Sequence, residues 1–172
     1  MDKIEQTNKM KILEELQKNG RASASDIAEK TGLSRQTVAK IISNMEKNKE
    51  IWGYTAIFDP KLVDKKPFLV LGKVDFSLNS EELLKKVTSF KLIDEHEKKY
   101  GFKTSMYLNG PSDIMILLWA KDTIEAKKFI NNYKKLFSEN VKVVDLYEGM
   151  ATFRNNGIVN PKIVEEWNNL LI

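Results

Sequence analysis

The sequence predicts an α+β chain, a winged-type helix-turn-helix domain followed by a ferredoxin-like βαββαβ domain. Three observations predict it. Residues 1–49 place apolar side chains at helical spacing, broken only at Asn19-Gly20 and Thr31-Gly32. From Phe68 to Gly149 strand-like and helix-like stretches alternate. Between them DPKLVDKKP, with two prolines and a run of charges, has the composition of a linker. The expected division is 1–58 for the first domain, 59–67 for the linker, 68–149 for the second domain and 150–172 for a tail with a short helix.

Each element has its own signal. Ile12, Leu13 and Leu16 form the stripe of a first helix, which Asn19-Gly20 ends. Ser23 caps a short second helix, with Asp26 three residues on in a near capping-box arrangement and Ile27 and Ala28 facing inward. Gly32 closes it. A third helix runs from Ser34 to about Lys47, with Val38, Ile42 and Met45 on one face. IWGYTAIF, rich in aromatic and β-branched residues, predicts a strand. FLVLGKVDFSL (Phe68–Leu78) predicts the next. SEELLKKVTSF predicts a helix capped by Ser80, with Leu83, Leu84 and Val87 as its stripe; Lys91–Gly101 is assigned as its extension. FKTSMYL and DIMILLWA flank Asn109-Gly110-Pro111-Ser112 and predict a hairpin. Asp122–Phe137 predicts a helix with Ile124, Ala126, Phe129, Ile130 and Tyr133 as apolar positions, and NVKVVDLYEG a fourth strand. Asn160-Pro161 starts a last helix whose face is Ile163, Val164, Trp167, Leu170 and Leu171.

Composition narrows the chemistry. The 172 residues contain no cysteine and one histidine, His96, which removes thiolate metal sites, thiol nucleophiles and multi-histidine sites. His96 stands among Asp94, Glu95 and Glu97, the setting of a surface histidine. No catalytic group, metal site or cofactor is assigned. The longest apolar run, Ile114–Ala120, is too short for a membrane span, and the N-terminus has no apolar signal region; the chain is expected in the cytoplasm, away from membranes. The net charge of +4 suits an anionic partner without requiring one. Residues 1–59 hold ten Lys/Arg and nine Asp/Glu, but Ser34–Lys49 holds Arg35, Lys40, Lys47 and Lys49 against Glu46 alone.

The second and third helices have helix-turn-helix spacing. Ala28 is a small residue at the crossing, Gly32 follows by four, and Val38 follows Gly32 by six. The start of the second helix of such a motif enters the major groove. Ser34, Arg35, Gln36, Thr37 and Lys40 then lie nearest DNA, with Asn44 towards the far end. Arg35 and Gln36 are assigned to bases and Lys40 to base or phosphate, while Ser23 and Ser25 meet phosphate through their amides. From spacing alone, a three-helix bundle with an ordinary solvated face fits equally well.

Read together, Ile12-Leu13, Asn19-Gly20-Arg21, Gly32-Leu33-Ser34 and Ile51-Trp52-Gly53-Tyr54 resemble the leucine-responsive regulator/asparagine regulator (Lrp/AsnC) family of transcription factors. Gly110-Pro111-Ser112-Asp113, Lys121-Asp122 and Phe129-Ile130 are similar to motifs of its effector domain. The resemblance covers roughly residues 8–148. It implies a sequence-specific regulator binding double-stranded DNA at a palindromic operator. It also implies a homodimer or higher homo-oligomer pairing through its sheets, and an amino-acid effector near Asn109, Gly110, Ser112 and Asp113. Three positions depart: Ile41 stands where the family often has a basic residue, Lys49 where it usually has Gly, and Pro-Ser replaces an aromatic residue in the effector turn. Asn48 is expected to supply the left-handed residue in place of a glycine at 49. Two other functions fit the same plan. One is an enzyme like the relatives that decarboxylate sirohaem-type tetrapyrroles; the other is a ligand-sensing module whose DNA binding has decayed.

Overall fold

The structure, a computed structural model, describes residues 3–75, 77–78, 81–82, 85, 102–137 and 140–170. The chain divides into two compact units, Met1–Ile57 with Thr152–Ile172, and Phe58–Ala151.

The first unit begins with α1 (Lys3–Lys18), α2 (Ala24–Thr31) and α3 (Arg35–Lys47). Ile12, Ile27, Val38 and Met45 are fully buried at its centre, with Leu16, Ala28, Ile41 and Ile42 packed around them. A charged clasp closes the bundle: Lys9, buried on α1, meets both carboxylate oxygens of Glu50 at 3.0 and 2.9 Å. The chain leaves α3 through a Schellman turn. Glu50 N–H donates to the Met45 carbonyl (2.8 Å) and Lys49 N–H to that of Glu46 (3.1 Å). That pattern puts the left-handed residue one place beyond the cap. Lys49 therefore takes it, with φ 59°, and Asn48, at φ −80°, does not supply it as expected.

The strand expected at IWGYTAIF does not form, because no described strand lies beside it to complete a ladder. Its Tyr54 hydroxyl instead donates to Glu46 (2.9 Å), and Trp52 is 95% exposed. The tail, by contrast, holds a hairpin that was not anticipated: β5 (Arg154–Asn155) pairs β6 (Ile158–Val159). Asn156 (φ 47°) and Gly157 (φ 82°) make its turn, the Asn-Gly pair suited to two successive positive φ values. Asn160 then holds the start of the last helix, α5 (Ile163–Leu170), accepting the Lys162 N–H and donating to the Thr152 carbonyl and the Glu166 carboxylate. The expected apolar face is not buried: Val164 is 72% exposed and Trp167 meets only Phe153 among described rings, at 5.5 Å. Leu171 lies outside the described residues.

The second unit opens with a 3-10 turn, Pro60–Val63, in the expected linker. Its sheet consists of β1 (Lys66–Val74), β2 (Phe102–Tyr107), β3 (Ile114–Ala120) and β4 (Val141–Glu148). The order is β2-β3-β1-β4 with every pairing antiparallel, the ferredoxin-like arrangement. β1 is shorter than the expected Phe68–Leu78 strand at its far end, where Asp75 and Ser77 form a turn. Alternation sends Phe68, Val70, Ile116, Leu118 and Ala120 to one face, under Ala126, Phe129 and Ile130 of α4 (Thr123–Leu136). Asp122 caps α4, accepting the Glu125 N–H at 2.8 Å. Ile124, expected on the apolar face, is 66% exposed in the first turn of α4. The other face of the sheet carries Leu69, Leu71, Met115 and Leu117, all half-buried. On that face Trp119 is covered by Phe58 (5.2 Å, edge to face) and by the Lys103 ammonium, 4.2 Å from the ring centre.

Of the helix expected over 80–90, residues 81–82 and 85 are described and are helical. Its stripe, the Lys91–Gly101 extension and His96 lie outside the described residues. Among the described residues no helix is long and apolar enough to cross a membrane.

Candidate nucleic-acid interface

The local sequence builds a rigid turn between α2 and α3. Ser23 caps α2 in a full capping box: its hydroxyl accepts the Asp26 N–H at 3.2 Å, and its own N–H donates to the Asp26 carboxylate at 2.9 Å. The Ser23 N–H, and after it the Ser23 hydroxyl, hold the Asp26 carboxyl below its usual pKa. At the other end Gly32, with φ 72°, donates its N–H to the Ala28 carbonyl at 3.0 Å. Ser34 then starts α3. Its hydroxyl accepts the Thr37 N–H at 3.1 Å and pairs with the Thr37 hydroxyl at 2.8 Å.

This turn fixes which way α3 faces. Val38 and Met45 are fully buried, and Ile41 and Ile42 pack on the same core. Ile41 thus points inward beside Val38, away from the side where a phosphate contact would lie. Arg35, Gln36, Lys40 and Asn44 are all exposed; by helical spacing Gln36 and Lys40 lie opposite that core, with Arg35 and Asn44 to either side of them. Ser43, half-buried, and exposed Lys47 complete the outward row at 36, 40, 43 and 47. Sequence reading omitted these two, although that i, i+4, i+7, i+11 spacing marks them.

Electrostatics favour the same surface. Glu15 of α1 pairs with Lys18 (2.6 Å) and Lys30 (3.1 Å), and Glu50 pairs with Lys9. Among the described residues Arg35, Lys40 and Lys47 have no such partner. α1 and α2 together hold five bases and five acids, whereas α3 holds Arg35, Lys40 and Lys47 against Glu46, so the excess positive charge of the three helices lies along one of them. At α2 the Ser23 amide is already donated to Asp26, while Ser25 is exposed in the first turn.

The four residues expected near an effector lie on the β2–β3 connection of the other unit. Asn109 and Gly110 are exposed, and Ser112 and Asp113 are half-buried. Asp113 anchors the hairpin: its carboxylate accepts the Val74 N–H at 2.9 Å, and its own N–H donates to the Gly72 carbonyl. Gly110 does not have positive φ, and a Cβ there would meet nothing within 4 Å. The turn itself does not need a glycine.

Comparison with known proteins decides what the helical unit belongs to. The family model "Winged helix-turn-helix DNA-binding" matches residues 6–48. The leucine-responsive regulatory protein of Haemophilus influenzae is 40% identical over 65 residues, 38% of this chain and 39% of that protein. The HTH-type transcriptional regulator LrpA of Pyrococcus horikoshii is 31% identical over 122 residues, 70% of this chain and 79% of the relative. The chain belongs to the Lrp/AsnC family. It is a DNA-binding transcriptional regulator of the Lrp/AsnC type, and these relatives carry the names of regulators. Solved Lrp/AsnC structures share its fold. An AsnC family transcriptional regulator from Agrobacterium tumefaciens superposes with a TM-score of 0.66 at 21% identity, covering 93% of this chain and 97% of that one. A transcriptional regulator from Neisseria meningitidis, solved as its L-Met complex, gives 0.65 at 17% identity, covering 90% and 93%.

Proposed function

We propose that α3 is the base-reading helix of a regulator that binds a roughly palindromic DNA operator as a homodimer or larger homo-oligomer. The observation that carries this reading is the two-sided character of α3. Its apolar side is sealed in the bundle, while Arg35, Gln36, Lys40 and Asn44 stand exposed on the rest of the helix. Arg35 pairs bidentately with guanine and Gln36 with adenine, Lys40 reaches base or phosphate, and Asn44 serves the far end. Ser34 and Thr37, at the helix start, and Ser25, at the start of α2, face phosphate; the Ser23 amide, committed to Asp26, does not take the phosphate contact expected of it. Half-buried Leu69, Leu71, Met115 and Leu117 support pairing of two copies through their sheets. A DNA target places the protein in the cytoplasm. Duplexes selected from a random library provide the operator. On it Arg35→Ala costs about 1–3 kcal/mol and relaxes preference at one base pair. Unchanged affinity and preference in a band-shift titration would remove Arg35 from the reading surface.

We further propose that Asn109, Gly110, Ser112 and Asp113 form an effector site for an amino acid. Gly110 supports it, being a glycine that this turn does not require, and the Neisseria regulator was solved with L-Met. In calorimetric titration with a panel of amino acids, one binds, and Gly110→Phe abolishes that heat without unfolding the chain. A panel with no binder, or equal binding by the variant, defeats the assignment.

A further inference from the structure

The exposed surface of α3 is polar except at one position. Arg35, Gln36, Thr37, Lys40, Asn44, Glu46 and Lys47 are exposed, and so is Ala39. Ala39 is not among the residues that pack on the bundle core, which Val38, Ile41, Ile42 and Met45 contact from this helix. By helical spacing its neighbours are Arg35, Gln36, Ser43 and Ile42, the last half-buried against the bundle core. It therefore lies at the border of the polar surface, one turn beyond Arg35, and offers a single methyl where Arg35, Gln36 and Lys40 extend long side chains.

That difference in length has a consequence at a base edge. Long side chains reach bases from a distance, whereas a one-carbon side chain touches a base only where the helix backbone comes closest to it. In the major groove the thymine 5-methyl is the apolar group on a base edge, and alanine is a residue that packs against it. A polar base edge facing Ala39 would lose hydrogen bonds to water and gain none in return.

We infer that Ala39 packs against a thymine 5-methyl and so fixes one T·A pair in each half-site. The inference rests on the reading of α3 as the major-groove helix. Four residues of helix advance about 6 Å, and base pairs are about 3.4 Å apart along one strand. The thymine therefore falls within about two base pairs of the pair read by Arg35.

The test uses the full chain and the operator selected from a random library. Each half-site thymine is replaced in turn by deoxyuridine, which lacks only the 5-methyl group. At one position the exchange weakens binding about fourfold, the value of one buried methyl group. Ala39→Gly binds the thymine and uracil operators equally, because its methyl partner is gone. The comparison is made within one variant, so any general weakening of the helix cancels. Two results overturn the inference. One is indifference of the unsubstituted protein to uracil at every half-site position. The other is a thymine preference that persists in Ala39→Gly. Failure to select any duplex would overturn the major-groove reading itself, an outcome distinct from both.

Discussion

Gly32 and Lys49 both place the backbone in the left-handed region, at φ 72° and 59°, and only one of them is a glycine. Each follows a helix of the DNA-binding unit, and each conformation is fixed by hydrogen bonds to the last turn. A Cβ in this region meets the following carbonyl and costs roughly 1 kcal/mol. Gly32→Ala therefore destabilises the helix-turn-helix by about 1 kcal/mol, although the space around it is open. Lys49→Gly does the reverse. It relieves the strain, part of which is offset by the greater entropy of glycine in the unfolded chain, leaving a gain of about 0.5 kcal/mol. Denaturant midpoints of the two variants against the parent measure both signs. A stabilised Gly32→Ala, or a destabilised Lys49→Gly, would contradict this account of the turns.

At the scale of elements, the capping box on α2 gives the fold a pH dependence. The N–H and hydroxyl of Ser23 hold Asp26 below its ordinary pKa in the folded state. A depressed carboxyl contributes stability that is complete above its unfolded value, near pH 3.9, and is lost as pH falls through the folded value. Thermal midpoints of the parent and of Asp26→Asn should differ at neutral pH and converge in acid below that range. A gap that stays constant down to low pH would show that the ionised carboxylate adds nothing to the cap. This box was legible in the sequence, as were Ser34 and Gly32, because caps and turns depend on a few neighbouring residues. The sheet was legible because β1, β3 and β4 carry apolar runs bounded by turn residues. Ile51–Phe58 has strand composition but no strand beside it among the described residues, and pairing is not a local property. The tail hairpin did have a local signal in Asn156-Gly157, but its strands are two residues each, too short to show alternation. The outward face of α3, with Lys40 on it, was readable from its period; that Ile41 turns inward was settled only by the packing of the bundle.

For the molecule as a whole, the net charge of +4 is too small and too scattered to select one site on DNA, and each chain carries a single α3. In the homodimer proposed above, two reading helices are held at a fixed separation, and the operator of that proposal repeats the symmetry of the protein. The two half-sites must face the same side of the duplex, so their spacing follows the helical repeat. Inserting five base pairs between them turns one half-site to the far side and lowers affinity at least tenfold, roughly to that of a single half-site. Inserting ten or eleven base pairs restores the facing and recovers part of the loss. Band shifts across this spacing series, with protein concentration held equal, read the result. Affinity that is indifferent to spacing would mean that each α3 binds on its own, and the two-helix operator would have to be abandoned even if Arg35 reads a base.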